Sequence, residues 1–339
     1  MESLIFTLNA VLPIVLLIVV GYIVKLLKIF PDDFWPKLNK LCFRLLLPML
    51  LFKNIYDIED ISQMADYWKV ILFSVLVIVG IFFIGLLIVI FFIKDPKQKG
   101  VILQCIFRSN YAIIGIGLIE LLASNFTSSD KQLAIGIGAV ISAISIPIFN
   151  VLAIISLSLF VHEEGKKISV KDIIIKICKN PLIIAVLTGI LFLLFRLLIP
   201  VNEEGIKVFS IKNNITFLYT SIKWLAQSAS PIALIALGGA FSFSAVAKLK
   251  YKIILGTTIR VVIVPLIALV LAYLFKFDKV YFPALIALFG TPVAVSSAPM
   301  TQEMGSDVEL AGQLVVWTSI SSAFTLFIIV LICSSIGII

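Results

Sequence analysis

Long runs of apolar residues, separated by short clusters of charged and turn-forming residues, divide the chain into ten segments. Each segment is long enough for an α-helix that crosses a lipid bilayer, which needs about 20 apolar residues. The third segment is the clearest, because no charged residue occurs from Val70 to Ile93. The pattern predicts ten helices near residues 4–24, 40–56, 69–93, 101–122, 132–161, 180–199, 218–243, 251–275, 280–302 and 309–338.

The composition agrees with a chain that lies mostly in the bilayer. Hydrophobic residues make up 61% of the 339 residues and charged residues only 14%, and the mean hydropathy is +1.17. Soluble domains average about 45–50% apolar and about 25% charged residues. The sequence therefore predicts an all-α polytopic membrane protein.

Sequence motifs of catalysis, metal binding and nucleotide binding are missing. There is no HExxH, no Walker lysine motif and no GxSxG, and the four cysteines are scattered. The single histidine, His162, lies beside Glu163 and Glu164 in a predicted loop, which favours a solvated side chain. We therefore expect no enzymatic activity, no bound metal and no cofactor.

Lysine and arginine residues are unevenly distributed among the predicted loops. The loops between helices 1 and 2, 3 and 4, 5 and 6, and 7 and 8 hold most of them. Because basic loops stay in the cytoplasm, both termini are predicted to be extracytoplasmic in a multi-pass protein of the cell membrane. The formal net charge of +8 then reflects topology and contact with the lipid bilayer, and no nucleic-acid partner is expected.

The chain also contains an internal repeat of five helices. The first repeat is predicted over residues 1–162, a cytoplasmic loop over 163–179, and the second repeat over 180–339. Positions that match, with a separate offset for each pair of helices, are Pro13 with Pro181, Gly21 with Gly189, Pro48 with Pro231, Asn110 with Pro292, and Ser142 with Ser319. Because five is odd, the second repeat is inverted relative to the first, an arrangement that is typical of secondary transporters.

Helices 4 and 9 are each interrupted near the middle, so they are predicted to be broken crossover helices. Helix 4 reads FRSNYAIIGIG around Asn110, and helix 9 reads FGTPVAVSSAP around Pro292. Pro292 lacks an N–H, while Asn110 can both donate to and accept from an opened backbone. Half-helices that meet at the midplane would direct their N-terminal dipoles at one point, which suits an anion. Simple proline and glycine kinks are the alternative.

Polar residues near these breaks are the candidate substrate-binding residues. Arg260, in the middle of helix 8, either contacts an anionic substrate or pairs with a glutamate or with backbone carbonyls. Arg108 is placed to line the path to the site, and Asn150 is placed to reach the substrate or an opened backbone. Ser296 and Ser297 either line the same cavity or bond back to their own helix. The complete candidate set is Arg108, Ser109, Asn110, Asn150, Arg260, Thr291, Pro292, Ser296 and Ser297.

Five short segments resemble the auxin efflux carrier family, which includes the plant PIN carriers and permeases of a bacterial type. These segments are RSNYAIIGIGL (108–118), IPIFNVLAI (146–154), SPIALIALGGAF (230–241), IRVVIVPLIALV (259–270) and FGTPVAVSSAPM (289–300). Together with the ten predicted helices, the resemblance extends over the whole chain.

The resemblance implies a fold and a mechanism. Helices 4 and 9 would cross at Asn110 and Pro292, with Asn150 near the ligand. Helices 1, 2, 6 and 7 would form a scaffold in a homodimer, and helices 3–5 and 8–10 would carry the substrate in an elevator-type alternating-access mechanism. Because the loop between helices 5 and 6 is short where the plant carriers have a long one, a small carboxylate is expected rather than an indole acid.

A secondary transporter for a small organic anion is therefore the leading hypothesis. An anion channel is the first alternative, because broken helices also line pores. A membrane sensor that binds a ligand without moving it is the second alternative, and it predicts specific binding without flux.

Overall fold

The computed structural model describes residues 2–58, 67–161, 170–201 and 207–339 of the chain. Within these ranges the structure is built from helices and contains no β-strand, apart from two isolated bridges between single residues. The all-helical class that the sequence predicts is confirmed.

The first part of the chain forms eight α-helices in the described ranges. They are α1 (Glu2–Leu26), α2 (Phe34–Leu41), α3 (Leu47–Tyr56), α4 (Trp68–Phe92), α5 (Pro96–Phe107), α6 (Ile116–Leu122), α7 (Ser128–Ser158) and α8 (Val170–Cys178). A π-helical turn, Cys42–Leu46, joins α2 to α3, and a second one, Tyr111–Gly115, leads into α6. The stretch from α2 to α3 is thus continuous and corresponds to the second predicted helix.

The second part of the chain forms another eight α-helices in the described ranges. They are α9 (Pro181–Leu198), α10 (Ile211–Asn214), α11 (Thr216–Ala240), α12 (Phe243–Thr258), α13 (Val264–Leu274), α14 (Phe282–Gly290), α15 (Ser297–Glu303) and α16 (Val308–Ser335). A π-helical turn, Ile259–Ile263, joins α12 to α13 into one long helix. A short 3₁₀ turn, Lys279–Tyr281, precedes α14.

Most helix ends lie within a few residues of their predicted positions, but the eighth predicted helix begins much earlier. Its first residue is Phe243, at the start of α12, rather than a residue near 251. The predicted boundary is wrong because it assigns Lys248, Lys250 and Lys252 to a loop. Lysine is a good helix former, and its flexible stem lets the ammonium group reach water from within a helix.

The segment predicted as a cytoplasmic loop, 163–179, is helical in part. Its second portion forms α8, which packs against α7 and α9. His162 and the residues that follow it as far as 169 lie outside the described residues.

Several helices of the described ranges are long and apolar enough to cross a bilayer, judged by length and composition. They are Trp68–Phe92, Ser128–Ser158, Pro181–Leu198, Phe243–Leu274 and Val308–Ser335. Large apolar side chains on these helices point outward, as shown by Phe91 and Leu198, which are 78% and 81% exposed. Water would disfavour so much exposed apolar surface, whereas lipid tails accommodate it. These helices indicate a multi-pass membrane protein.

The backbones of helices α1 and α11 approach each other closely. A Cβ atom added at Gly21 of α1 would overlap the carbonyl oxygen of Ile235, and one added at Gly238 of α11 would overlap that of Ile18. Only glycine leaves room for backbones to approach so closely. The two glycines therefore fix the distance between α1 and α11.

Helices α3 and α9 form a second close pair next to the first. A Cβ atom added at Gly189 of α9 would lie 3.0 Å from the Cβ of Ile55 on α3. Helix α3 also packs against α11, so that α1, α3, α9 and α11 form one group. We call these four helices the first helix group.

The remaining long helices surround the two interrupted helices. Helix α5 packs against α4 and α7, while α16 packs against α12, α14 and α15. The short helix α6 packs against α7 and α14. We call α4–α7 and α12–α16 the second helix group, and its centre is the point where the two interruptions meet.

Candidate functional site

The break that the sequence predicts in helix 4 is present in the structure. Helix α5 ends at Phe107, and Arg108 has an extended backbone with φ −83° and ψ 116°. The chain remains non-helical through Asn110 before the π-helical turn Tyr111–Gly115 begins. The predicted interruption around Asn110 is confirmed.

The break predicted in helix 9 is present as well. Helix α14 ends at Gly290, and Thr291 is extended with φ −70° and ψ 153°. The chain turns through Pro292 and the residues after it, and α15 begins at Ser297. Both interrupted helices therefore consist of two half-helices that are separated by a short extended segment.

The two extended segments cross and pair with each other. Ser109 and Val293 form an isolated antiparallel bridge, and the backbone N–H of Asn110 donates to the carbonyl oxygen of Pro292 at 2.8 Å. The backbone N–H of Val293 donates to Oγ1 of Thr318 on α16 at 3.2 Å. These bonds satisfy backbone groups that the breaks expose, which the interior of a bilayer requires.

Two hydroxyl groups at the crossing bond to each other. Oγ1 of Thr291 donates to the carbonyl oxygen of Ala287 at 2.9 Å and lies within hydrogen-bond distance of Oγ of Ser109, at 3.2 Å. Oγ of Ser109 accepts from the backbone N–H of Tyr111 at 3.1 Å. Thr291 is fully buried, so its hydroxyl group stabilises the crossing and does not face open space.

Arg260 joins the C-terminal ends of α5 and α14, the two half-helices that precede the crossing. Its side chain is fully buried, and its guanidinium donates only to backbone carbonyl oxygens in the structure described. The acceptors are the carbonyls of Ile106, Phe107, Leu288, Phe289 and Thr291, at distances from 2.8 to 3.3 Å.

Such carbonyls are the groups that a helix end leaves unpaired, and a cation near them is favourable. Of the roles that the sequence leaves open for Arg260, this geometry favours the pairing with backbone carbonyls.

Arg108 is also buried, but its partners are different. It is 2% exposed, and its guanidinium donates to Oδ1 of Asn150 at 2.8 Å and to Oγ of Ser296 at 2.9 Å. Weaker contacts join it to Oε1 of Gln104 at 3.4 Å and to Sδ of Met300 at 3.1 Å. All four partners are neutral, and none of the described carboxylates forms an ion pair with Arg108.

Asn110 carries a buried donor that is left unsatisfied. The residue is 2% exposed, and its Nδ2 atom has no hydrogen-bond partner among the described residues. A buried amide without a partner costs about 1–3 kcal/mol, and a ligand that accepts from Nδ2 would remove this cost. The backbone carbonyl of Asn110 accepts from the N–H groups of Ile113 and Ile114. The local turn is therefore formed by the backbone of Asn110, and its side chain takes no part in these bonds.

A small cavity of about 50 Å³ adjoins these two side chains. Its lining residues come from both helix groups and are Leu47, Leu50, Leu51, Arg108, Ser109, Asn110, Ala112, Ile113, Ile146, Phe149, Asn150, Leu182, Ser230, Ala233, Ala294, Val295 and Ser296. Among them Arg108 carries the single formal charge.

The nine candidate residues all lie at or near the crossing, but they divide into two sets. Five of them line the cavity, namely Arg108, Ser109, Asn110, Asn150 and Ser296. The other four are not part of its lining, namely Arg260, Thr291, Pro292 and Ser297. Pro292 and Thr291 contribute to the crossing itself, and the carbonyl of Ser297 accepts from Gln104 and Thr301.

The sequence pattern did not identify several residues of the site. Gln104 precedes Arg108 by one helical turn, and its Nε2 donates to Oγ1 of Thr301 at 2.7 Å. That spacing on helix 4 is the one signal that points to Gln104. The leucines of α3 and α9 gave no signal, because a leucine that faces a cavity and one that faces lipid look the same in a sequence.

Comparisons with known proteins add to this geometry. A family model described as membrane transport protein matches residues 6–330 of the chain. Three similar proteins carry the name uncharacterized transporter YfdV, and they come from Escherichia coli K12, Escherichia coli O157:H7 and Shigella flexneri. Each is 23% identical over 295 residues, which is 86% of this chain and 86% of the relative.

Proposed function

Because the chain belongs to the membrane transport protein family, the family of the auxin efflux carriers, we propose that it is a secondary transporter for a small organic anion. The family match confirms the resemblance that the five sequence segments indicate. We propose that the anion is a carboxylate. We also propose that the protein lies in the cell membrane.

The observation that carries this proposal is that Arg108 and Asn110 both line the cavity. Arg108 holds a positive charge that no described carboxylate balances, and Asn110 holds an amide donor that no described residue satisfies. Burying a charge without a counter-charge costs roughly several kcal/mol. An anion in the cavity would remove that cost. An anionic substrate therefore supplies what the site lacks.

The proposed architecture is ten transmembrane helices in two inverted five-helix repeats. It is supported by the glycine contacts, because Gly21 and Gly189 are repeat partners in the sequence and each faces a helix of the other repeat. The two breaks, at Asn110 and Pro292, are repeat partners too, and they meet at one point. An inverted repeat relates the pairs in this way.

An elevator-type mechanism is proposed for transport. The first helix group, α1, α3, α9 and α11, would be the scaffold and would hold a homodimer together. The second helix group would move with the substrate. The division is supported by packing within each group and by the cavity, whose lining comes from both groups, while α1 also packs against α16 across the division.

The orientation is part of the same proposal. Both termini are placed outside the cytoplasm because most loop lysines fall on the opposite side of the predicted helices.

The proposal is tested by measuring transport currents of the purified full-length protein in proteoliposomes. Malonate, malate, lactate and indole-acetate are supplied in turn over a range of concentrations. A saturable current with one acid is expected. A conductance far above carrier turnover would show a channel instead, and specific binding without any flux would show a sensor.

A further inference from the structure

We propose that the cavity takes a monovalent organic anion with a compact aliphatic body and that it excludes dicarboxylates. This inference rests on the proposed transport of organic anions and names the class of anion. It follows from how charge and apolar surface are distributed around the cavity.

The polar groups of the cavity are concentrated at its crossover end. The guanidinium of Arg108 is held there by Asn150 and Ser296, and the unpaired Nδ2 of Asn110 belongs to the same segment. The terminal N–H groups of Arg108 already have protein partners, so Arg108 contributes its positive charge, and the free donor is Nδ2 of Asn110. One carboxylate thus balances the charge of Arg108 and can accept from Nδ2 of Asn110.

The part of the cavity wall that comes from the first helix group, called the apolar wall here, is apolar except for Ser230. Leu47, Leu50 and Leu51 of α3 form most of it, and Leu182 of α9 and Ala233 of α11 complete it. Leu47, Leu51, Leu182 and Ala233 are buried, so the wall is a packed apolar surface. An aliphatic group placed against this wall gains free energy by leaving water.

A second apolar surface flanks the polar end. Ile146 and Phe149 of α7 line the cavity on the same helix as Asn150, and Ile113 follows Asn110 after one turn. A ligand that extends from Arg108 is therefore surrounded by aliphatic and aromatic carbon. At about 50 Å³ the cavity is well below the range of about 300–1,000 Å³ that is typical of pockets for drug-sized ligands, so its ligand has to be compact.

A second carboxylate would have no counter-charge in this cavity. On the apolar wall, within the described lining, Ser230 is the one polar side chain, and it is half-buried. One hydroxyl group can donate a single hydrogen bond, which does not balance a carboxylate that has lost its water. A hydroxyl or keto group, in contrast, could pair with Ser230.

The net charge of the site leads to the same class of ligand. With a single arginine and no acidic residue among the described lining residues, one negative charge makes the occupied cavity neutral. A dicarboxylate would leave a net negative charge in a medium that disfavours charge. A neutral ligand would leave Arg108 unbalanced.

The inference is tested with two acids that differ only at one end. 2-Oxopentanoate and 2-oxoglutarate share a five-carbon 2-oxo chain, but the first ends in a methyl group and the second in a carboxylate. Uptake of each radiolabelled acid is measured in proteoliposomes that contain the full-length protein. We expect 2-oxopentanoate to be preferred at least about a hundredfold, because the second carboxylate would be buried without a partner.

A variant should reverse this preference if the apolar wall causes it. Ser230→Lys adds an ammonium group at that wall, and uptake of 2-oxoglutarate relative to 2-oxopentanoate should rise at least about tenfold. Ser228→Lys is the matched control, because Ser228 lies on the same helix, outside the cavity lining, and bonds to the carbonyl of Trp224. Its preference should equal that of the wild type.

The possible results separate the inference from the proposed function. If 2-oxoglutarate, malate or malonate is taken up as well as or better than 2-oxopentanoate, the inference is wrong while anion transport stands. If no organic anion moves in correctly inserted protein, the proposed function fails and the inference fails with it.

Discussion

The backbone N–H of Asn110 donates to the carbonyl oxygen of Pro292 at 2.8 Å, where the two interrupted helices cross. Pro292 has no N–H of its own, so its carbonyl is the group it can contribute to the pairing. The same residue, Asn110, keeps its side-chain Nδ2 buried and unpaired. The backbone of Asn110 thus fixes the crossing, and its side chain remains available to a ligand.

Replacing the Asn110 side chain should weaken substrate binding without unfolding the protein. In Asn110→Ala the backbone bond to Pro292 is kept, and only the amide donor is lost. Because a hydrogen bond to a charged group contributes about 1.5–3 kcal/mol, KM for the transported acid should rise roughly 10- to 100-fold. Concentration-dependent uptake in proteoliposomes measures this change.

Asn213→Ala is the control for that measurement, because Asn213 lies on α10 with an exposed side chain. Its KM should match the wild type. An unaltered KM in Asn110→Ala would remove Asn110 from the binding site.

Replacing Arg260 should reduce stability more than it changes substrate binding. In Arg260→Met the carbonyls of five residues lose a buried donor, including those of Phe107 and Thr291. Unsatisfied buried carbonyls cost about 1–3 kcal/mol each, so the free energy of unfolding should fall by at least about 3 kcal/mol. Thermal unfolding of the purified protein in detergent measures the loss. A variant that remains as stable as the wild type but loses affinity for the anion would show that Arg260 contacts substrate.

The close approach of α1 and α11 should be sensitive to a single methyl group. Gly21→Ala places a Cβ against the carbonyl of Ile235, and such overpacking costs about 1–3 kcal/mol. A Cβ at Gly80 of α4 would have no atom within 4 Å, so Gly80→Ala is the matched control. Melting temperatures in detergent should fall for Gly21→Ala and stay level or rise for Gly80→Ala. Equal temperatures for the two variants would contradict the packing of α1 on α11.

Exchange of substrate should be faster than net uptake. An empty cavity leaves the charge of Arg108 unbalanced, whereas an occupied one is neutral, so the occupied site crosses the membrane more readily. Proteoliposomes preloaded with the unlabelled acid should therefore take up the labelled acid roughly tenfold faster, which corresponds to about 1.4 kcal/mol. Equal rates with and without preloading would contradict this expectation.

The helices and both breaks could be predicted from the sequence because they depend on local features. An apolar run of fixed length identifies each helix, and residues such as Asn110 and Pro292 mark positions where the helical backbone opens. Repeat matching then places the two breaks as partners. The start of α12 could not be located in this way, because lysines are compatible with both a loop and a helix end.

The roles of the two buried arginines could not be separated from the sequence. Depth along a helix shows that Arg108 and Arg260 are costly in a bilayer, but it does not show what they face. In the structure Arg260 meets helix-end carbonyls, while Arg108 meets neutral side chains beside the cavity. The apolar wall could not be predicted for a related reason. Leu51 and its neighbours lie on a helix, and the sequence does not show which face of that helix lines the cavity.

The most direct test of the account is saturable uptake by the wild type and by two variants of Arg108. Proteoliposomes receive the acid that the wild type transports best among malonate, malate, lactate and 2-oxopentanoate. Arg108→Gln removes the charge, and saturable uptake should be lost. Arg108→Lys keeps the charge but lacks the planar guanidinium group. Uptake should persist with a KM that is raised roughly tenfold. If correctly inserted Arg108→Gln transports the acid with the wild-type KM, the crossover cavity is not the anion site.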